Sequence, residues 1–287
     1  MTTLIIGGTG RVGAPAAQAL AATGEEVRVL SRSAEKSAAL PSGVTGVVGD
    51  LEDASTLGTA LAGADKMLLI TANGETEALR GANAVQAAVE AGIKKIVFLS
   101  VKLSEEAMKV PHYASKVGIE NAIRESGATH VILRPDFFYQ NDLMLGGAIT
   151  GAGVYPMPIG NVGQSRIDTR DIADAAVKAL STDELDGQDI SLYGPKAWTA
   201  DEIAALYGEK LGRDVRYGGD DLDAWAEGSK AFIPPWLLTA LKAGFAKMQK
   251  MGSVASDADV ATSEAAVGHA LRTFEDFADE AIAAWKK

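Results

Sequence analysis

The chain has 287 residues, of which 47% are hydrophobic and 23% charged, a balance typical of a soluble globular protein with one large or two closely joined domains. It contains no cysteine, which excludes disulfides and zinc–thiolate centres. Its 27 basic and 38 acidic residues give a net charge of −11, which argues against binding to nucleic acid. We therefore expect a cytoplasmic protein that has a small-molecule partner, no nucleic-acid partner, no membrane association and no metal.

The chain opens on an apolar run, Leu4–Ile6, that stops at Gly7-Gly8. This pattern predicts a buried strand that meets a tight turn, and it lacks the longer apolar stretch of a signal peptide. Short apolar runs then alternate with amphipathic helical stretches up to residue 134, which predicts a doubly wound parallel Rossmann sheet in an α/β fold. The predicted strands are Thr3–Ile6, Glu26–Leu30, Gly43–Val48, Lys66–Ile70, Lys95–Leu99 and Thr129–Leu133, and the clearest helices are Val12–Ala22, Glu77–Ala91 and Tyr113–Ser126.

The character of the sequence changes after Arg134-Pro135. Residues 146–163 are rich in glycine and proline without periodicity, which predicts a loop. We predict a dinucleotide-binding domain over 1–134 and 166–182, and a smaller mixed α/β substrate-binding portion over 135–165 and 183–287. After residue 163, the sequence predicts a helix over Asp168–Leu180, a strand over Asp189–Leu192 and a helix over Thr199–Leu211. A strand over Asp214–Tyr217 and helices to the end of the chain follow.

A glycine-rich turn joins the first strand to the first helix. Gly7, Gly10 and Gly13 are spaced three residues apart, with Thr9, Arg11 and Val12 between them. Such glycines permit a sharp turn, a close approach of the backbone to a pyrophosphate and tight packing of helix on strand. The helix N-terminus then offers free amides to the phosphates. Because the motif follows a strand and begins a helix, it predicts dinucleotide binding.

The residue after the second strand distinguishes NADP from NAD. An acidic residue there accepts hydrogen bonds from the ribose hydroxyls of NAD, whereas an arginine accommodates the 2′-phosphate of NADP. This chain has Ser31-Arg32-Ser33 and no acid, and Arg11 lies in the glycine loop nearby. The planar fork of arginine suits a phosphate dianion. NADP(H) is therefore the favoured cofactor over NAD(H).

Together these motifs resemble the short-chain dehydrogenase/reductase superfamily and, more narrowly, its atypical NmrA-like group. That group includes quinone oxidoreductases, triphenylmethane reductases, isoflavone-reductase-like enzymes and a regulator that binds the dinucleotide as a redox sensor. The resemblance is carried by Gly7–Gly13, Gly49-Asp50-Leu51, Phe98-Leu99-Ser100, His112 with Lys116, Leu133–Phe138, Ile167–Ala173 and Thr273–Phe277.

The resemblance implies a role for individual residues. Asp50 and Leu51 are expected to flank the adenine, although a helix cap formed with Asp53 is an alternative for Asp50. Ser100 is expected near the nicotinamide. Pro135 and Phe137 are expected to line the nicotinamide pocket, with Phe138 beside the substrate, although either phenylalanine also suits an apolar core. The ribose and pyrophosphate are expected to border Thr71, Ala72 and Asn73.

Many members of the superfamily carry Tyr-x-x-x-Lys on a helix, in which the tyrosine protonates a carbonyl and the lysine binds the nicotinamide ribose. Here the residue four before Lys116 is His112, and Tyr113 is one position out of register. Reduction of a quinone leaves a phenolate-type anion whose conjugate acid has a pKa of roughly 10, which lessens the need for an acid. We therefore expect Lys116, His112 and Ser100 to be the catalytic residues, with Tyr113 near the substrate.

The sequence thus favours an NADPH-dependent oxidoreductase that transfers hydride to a small conjugated acceptor, with a quinone as the leading candidate. The alternative from another class is a redox sensor that binds NADP(H) without turnover. An epimerase or dehydratase is a third alternative, and the absent tyrosine argues against it. The apolar segment 232–251 suits a lid, a core or the face of a homodimer.

Overall fold

The structure is a computed structural model, and it describes residues 1–33, 35, 40–102 and 111–286, without the side chains of Pro111 and His112. Within these residues the chain divides into two compact units. The first unit comprises 1–135, 170–191 and 264–269, and the second comprises 136–169, 192–263 and 270–287. None of the helices found in these ranges is both long and apolar enough to cross a membrane.

The first unit is built on a seven-stranded sheet, as the alternation of apolar runs predicts. Its strands are β1 (Thr2–Ile6), β2 (Glu26–Ser31), β3 (Val44–Val48), β4 (Lys66–Leu69), β5 (Lys95–Leu99), β6 (Thr129–Pro135) and β8 (Asp189–Leu192). Their order is β3-β2-β1-β4-β5-β6-β8, and the pairs from β3 to β6 are parallel. The order reverses beside β1, which is the arrangement of a doubly wound fold.

Helices cover both faces of this sheet because each connects two parallel strands by a crossover. Leu4, Met67 and Ile96 of neighbouring strands are fully buried in one core cluster with Leu57 and Ala84 of the helices. The helices are α1 (Gly13–Ala22), α2 (Leu57–Leu61, after a 3-10 turn at Ala54–Thr56), α3 (Glu77–Glu90), α4 (Pro111–Glu125) and α5 (Thr169–Ser181).

The second unit has its own aromatic core. Tyr139, Tyr155, Tyr207 and Phe274 are all fully buried in it. Its two-stranded sheet pairs β7 (Val154–Tyr155) with β9 (Arg216–Tyr217). Its helical elements are a 3-10 segment Tyr139–Leu145, a π-helical turn Gly147–Ala152, α6 (Ala200–Leu211), α7 (Leu222–Ser229), α8 (Pro235–Met251), α9 (Asp257–Val267) and α10 (Phe274–Trp285).

One prediction in this unit is wrong, and another is confirmed only in part. Residues 146–163 are not simply a loop, because they contain the π-helical turn and β7. The strand predicted over Asp214–Tyr217 is only two residues long. The physical reason is that β7 and β9 exist through pairing with each other across some sixty residues of chain, and no local pattern in either segment reveals that pairing.

Candidate cofactor and catalytic site

The predicted site residues of the first unit gather at one edge of its sheet. Because β1 to β6 are parallel, the residues that follow their carboxyl ends lie along the same edge, where open α/β sheets bind ligands. The edge therefore carries Gly7 after β1, Arg32 after β2, Asp50 after β3, Thr71 after β4, Ser100 after β5 and Pro135 at the end of β6.

The glycine loop is too tight for side chains. Gly7 has φ +80°, and its carbonyl accepts a hydrogen bond from the Gly10 amide at 3.0 Å. A Cβ atom on Gly13 would lie 2.3 Å from the Gly7 carbonyl oxygen, and one on Gly10 would lie 3.2 Å from the same oxygen. The backbone itself thus requires glycine at positions 7 and 13, and it holds Gly10 in a tight contact.

Helix α1 begins directly after this loop. Within the described chain, no side chain caps its N-terminus, where Val12 occupies the cap position, and its first turn holds no acidic residue. Thr9, Gly10 and Arg11 are exposed beside it. The positive end of the helix dipole and the amides of its first turn therefore suit an anionic group such as a pyrophosphate.

Gly8 is a further requirement that the motif did not single out. A Cβ atom there would lie 2.6 and 2.7 Å from the two γ-methyl carbons of Val29 on β2. The close approach of the loop to β2 thus excludes any larger residue. The signal in the sequence was the Gly7-Gly8 doublet, which the three-residue spacing leaves unexplained.

The loop after β3 is organised by carboxylates. Asp50 Oδ1 accepts the Glu52 amide at 3.0 Å, and Asp53 caps the following 3-10 turn by accepting the Ser55 amide at 3.1 Å. Capping therefore falls to Asp53, while the half-buried Asp50 and Leu51 stay candidates for the adenine site. Sequence reasoning missed Glu52.

Glu52 connects this loop to the segment after β4. Its Oε1 accepts hydrogen bonds from the Thr76 hydroxyl at 2.7 Å and from Arg80 Nη2 at 2.6 Å. These bonds, together with the charges of Arg80 and Arg32, lower the pKa of Glu52.

Arg32 is exposed at the end of β2, so its guanidinium is accessible to a phosphate in the position that the sequence predicts.

The three predicted residues after β4 differ in exposure. Ala72 and Asn73 are exposed, whereas Thr71 is buried. Thr71 Oγ1 donates to Glu77 Oε1 at 2.8 Å. Ala72 and Asn73 are thus accessible to a ligand at this edge of the sheet, while Thr71 belongs to a buried network beneath it.

Lys116 forms the centre of that network. Its side chain is 4% exposed, and its ammonium contacts Glu77 Oε1 at 3.0 Å, Thr71 Oγ1 at 2.9 Å and the Leu99 carbonyl at 3.1 Å. The Lys116 nitrogen also lies 5.1 Å from the centre of the Phe98 ring. Burial lowers the pKa of Lys116, and the charge of Glu77 opposes that effect. Each of the three ammonium protons therefore has an acceptor, and the ribose role of Lys116 stays a prediction.

Ser100 is held by a second buried carboxylate. Its hydroxyl donates to Glu120 Oε1 at 2.6 Å, and Arg134 Nε donates to the same oxygen at 2.9 Å. Burial alone would raise the pKa of Glu120, but the hydrogen bonds from Arg134 and Ser100 lower it. Ser100 is buried and its single hydroxyl proton is donated to Glu120, so its place near the nicotinamide stays a prediction.

Sequence reasoning missed both glutamates. Glu120 follows Lys116 by four residues, so the helical i,i+4 rule placed the two on one face. Glu77 stands at the first turn of α3, and nothing in its local sequence connects it to Lys116.

The side chain of His112 lies outside the described residues. Tyr113 is half-buried on α4.

In the second unit, Phe137 and Phe138 are half-buried. The Phe137 amide donates to Asp136 Oδ1 at 2.6 Å, and its ring meets the Phe245 ring edge-on with centroids 6.3 Å apart. The Phe137 ring also lies 5.3 Å from the Arg166 guanidinium carbon. Phe137 thus contributes to the aromatic core of its own unit, and its nicotinamide contact stays a prediction.

Folding also brings His269 to two carboxylates of α5. His269 Nε2 lies 3.0 Å from Asp174 Oδ2, and potential ligand atoms of His269, Asp174 and Asp171 all lie within 4.8 Å of one another. The sequence showed the histidines as scattered because the residues of this cluster are almost a hundred positions apart. The expectation that the chain binds no metal stays a prediction.

Comparison with known proteins shows a family match and several similar proteins. Residues 1–278 match the model of the NmrA-like family. The chain is 33% identical over 279 residues to a (4-alkanoyl-5-oxo-2,5-dihydrofuran-3-yl)methyl phosphate reductase of Streptomyces griseus, covering 96% of each. It is 34% identical over 220 residues to an NAD(P)H azoreductase of Xenophilus azovorans, covering 75% of each. The structure of an Escherichia coli NADPH-dependent quinone oxidoreductase with NADPH superposes with a TM-score of 0.86 at 25% identity, over 97% of this chain and 99% of that one.

Proposed function

This chain belongs to the NmrA-like family, and we propose that it is an NADPH-dependent reductase of small conjugated acceptors, with a quinone as the leading candidate. The observation that carries the proposal is the glycine loop, where a Cβ atom on Gly13 would lie 2.3 Å from the Gly7 carbonyl oxygen. This tight turn leads directly into α1, whose N-terminus has no side-chain cap within the described residues and suits a pyrophosphate.

The residues at the sheet edge fit such a cofactor. Gly10 and Arg11 are exposed at the loop, and the exposed Arg32 supports a preference for the 2′-phosphate of NADPH. Ala72 and Asn73 are exposed on the side predicted for the ribose. When bound, the cofactor would supply a hydride from its nicotinamide ring.

The choice of acceptor follows from what the chain lacks beside Lys116. Position 112 holds histidine where many relatives place the proton-donating tyrosine. An acceptor that takes a hydride must also take one proton to become the neutral reduced product. For a quinone, that proton goes to a phenolate-type oxygen with a pKa of roughly 10, so His112 or water suffices as the donor.

The relatives support the same class of substrate. Their names describe reductases of an azo compound, a quinone and an oxo-dihydrofuran. These three groups share an electron-poor conjugated system that accepts a hydride and delocalises the charge. The proposal extends this common chemistry to the present chain.

The test is NADPH oxidation by the purified protein, followed at the nicotinamide absorbance with a panel of quinones, azo dyes and conjugated lactones, and with simple ketones as controls. We expect turnover with at least one conjugated class and none with the ketones. His112→Ala should slow that turnover without changing NADPH affinity. Tight NADPH binding without turnover across the panel would favour the redox sensor instead.

A further inference from the structure

A buried charge in the first unit requires an explanation beyond cofactor binding. Lys116 is 4% exposed and Glu77 is fully buried, with 3.0 Å between Nζ and Oε1. A charged group taken out of water needs a partner of opposite charge and hydrogen bonds for its remaining protons. Glu77 is one of the few fully buried carboxylates of the unit, and no motif in the sequence accounts for it.

The neighbouring carboxylate, Glu120, is not the main counterion of Lys116, because its own contacts are with arginines. Glu120 receives Arg134 Nη2 at 2.5 Å and Arg124 Nη2 at 3.0 Å, and the same two arginines contact Asp189 at 2.9 and 2.6 Å. Two arginines and two carboxylates thus form a group without net charge. The charge of Glu120 also favours the Lys116 ammonium, but the charge and hydrogen bond of Glu77 contribute more.

The pair sits directly beneath the edge of the sheet. The Thr71 hydroxyl donates to Glu77 and accepts from Lys116, at 2.8 and 2.9 Å, so the three side chains close a ring of hydrogen bonds. The third Lys116 proton goes to the Leu99 carbonyl at the end of β5. One carboxylate therefore fixes the lysine against the ends of both β4 and β5.

We infer that Glu77 is the positioning residue of the site: its carboxylate keeps the Lys116 ammonium charged and directed at Thr71 and the Leu99 carbonyl, where the nicotinamide half of the cofactor is expected. The inference rests on the proposed function. Glu77 acts through Lys116 and needs no contact of its own with the cofactor or the substrate. Glu77 holds the Lys116 side chain in position before the cofactor binds.

The pH profile of turnover tests this role. In Glu77→Gln the opposing charge is gone, so burial lowers the pKa of Lys116 further, and the ammonium is lost at a lower pH. We expect the alkaline limb of kcat/KM for NADPH to move down by about 1–3 pH units. Glu77→Asp, which keeps the charge, should retain the wild-type limb, and Glu90→Gln at the exposed end of α3 is the matched control.

A second measurement needs neither cofactor nor turnover. In Glu77→Gln the folded state loses the Lys116 proton while the unfolded chain keeps it, up to the ordinary lysine pKa of about 10.4. Stability rises with pH wherever the unfolded state binds more protons. The deficit of Glu77→Gln in urea unfolding should therefore shrink between neutral pH and pH of about 10.

The outcomes separate the two proposals. An equal deficit of Glu77→Gln at every pH, with an unmoved limb, would overturn the positioning role and leave Glu77 a structural residue. If Glu77→Gln does not fold, Glu77→Gln combined with Lys116→Met should restore folding, and failure of that rescue also overturns the inference. Absence of turnover in the wild type would sink the proposed function alone, because the unfolding experiment remains.

Discussion

Each unit of the molecule contains a fully buried ion pair, and the two pairs are built differently. In the second unit Arg166 and Asp142 are both 0% exposed, and the two guanidinium nitrogens contact the two carboxylate oxygens at 2.7 and 3.1 Å. In the first unit the Lys116 ammonium contacts one oxygen of Glu77, Oε1, and the Thr71 hydroxyl donates a hydrogen bond to the same oxygen.

The Arg166–Asp142 pair has further partners in the aromatic core of its unit. Tyr207 donates to Asp142 Oδ2 at 3.1 Å, and the Arg166 guanidinium carbon lies 4.9 Å from the Phe274 ring. Burial and the charge of Asp142 raise the pKa of Tyr207 well above its ordinary value, so its hydroxyl stays protonated as a donor. The comparison shows that burial of charge does not by itself mark a functional site. The Lys116 pair differs in its position, because its partners Thr71 and Leu99 lie at the carboxyl ends of β4 and β5.

The largest expected effect sharpens this contrast. Asp142→Asn leaves the Arg166 charge buried without a counterion and should lower the free energy of unfolding by about 3–5 kcal/mol. Urea denaturation measures it, with Asp279→Asn as a control, because that carboxylate is 65% exposed beside Lys210 and should cost below about 1 kcal/mol. A similar, small loss in both variants would contradict the account of the pair.

The next effect concerns the exposed arginine of the first unit. Arg32→Asp should weaken NADPH binding by about 1.5–3 kcal/mol, roughly 10- to 150-fold, because charge-assisted hydrogen bonds to the 2′-phosphate are lost. NADH binding should change little, since that cofactor lacks the phosphate. Calorimetric titration with both cofactors checks this, with Arg28→Ala on the same strand as the control. Equal losses for both cofactors would refute the phosphate role.

A smaller effect is expected in the glycine loop. Gly13→Ala places a methyl group 2.3 Å from the Gly7 carbonyl oxygen, so the backbone must shift at a cost of about 1–3 kcal/mol. We expect both NADPH and NADH affinity to fall alike, measured by the same titrations. Gly58→Ala in α2 is the control, because a Cβ atom there meets nothing within 4 Å. Unchanged affinity in Gly13→Ala would break the proposed link between loop and pyrophosphate.

The smallest effect lies at a helix terminus of the second unit. Thr199 and Glu202 form a capping box at α6, in which Glu202 Oε2 accepts the Thr199 amide at 2.8 Å. Thr199→Ala should cost about 1 kcal/mol in urea denaturation. The hydrogen bond from the Thr199 amide lowers the pKa of Glu202. The stabilisation of the fold by the Glu202 carboxylate is therefore present above the ordinary pKa of about 4.3 and is lost as the pH falls through the lowered pKa.

Comparing Glu202→Gln with the wild type across acid pH isolates that contribution. The variant keeps a side chain that accepts the Thr199 amide but has no charge to titrate. We expect its stability to depend less steeply on pH below about 4 than that of the wild type. Identical acid profiles would show that the lowered pKa has no effect on folding.

Local patterns predicted most of the first unit. Six strands appear within about two residues of their predicted bounds. Buried strands such as β1 and β5 stand out in the sequence as short apolar runs because both of their faces are covered. In the second unit β7 escaped prediction and β9 is shorter than predicted, because these two short strands form by pairing with each other.

The sequence by itself determined the glycine turn and the order of strands and helices, because these follow from backbone sterics and from periodicities within a few residues. Its motifs, taken together, also carried the resemblance to the family. Only the tertiary structure decided which charges are buried and which partner each one has. Glu77 meets Lys116 across 39 positions and Asp142 meets Arg166 across 24. Such pairs form because a charge removed from water must find its counterion wherever the fold places one, and that choice leaves no local trace in the chain.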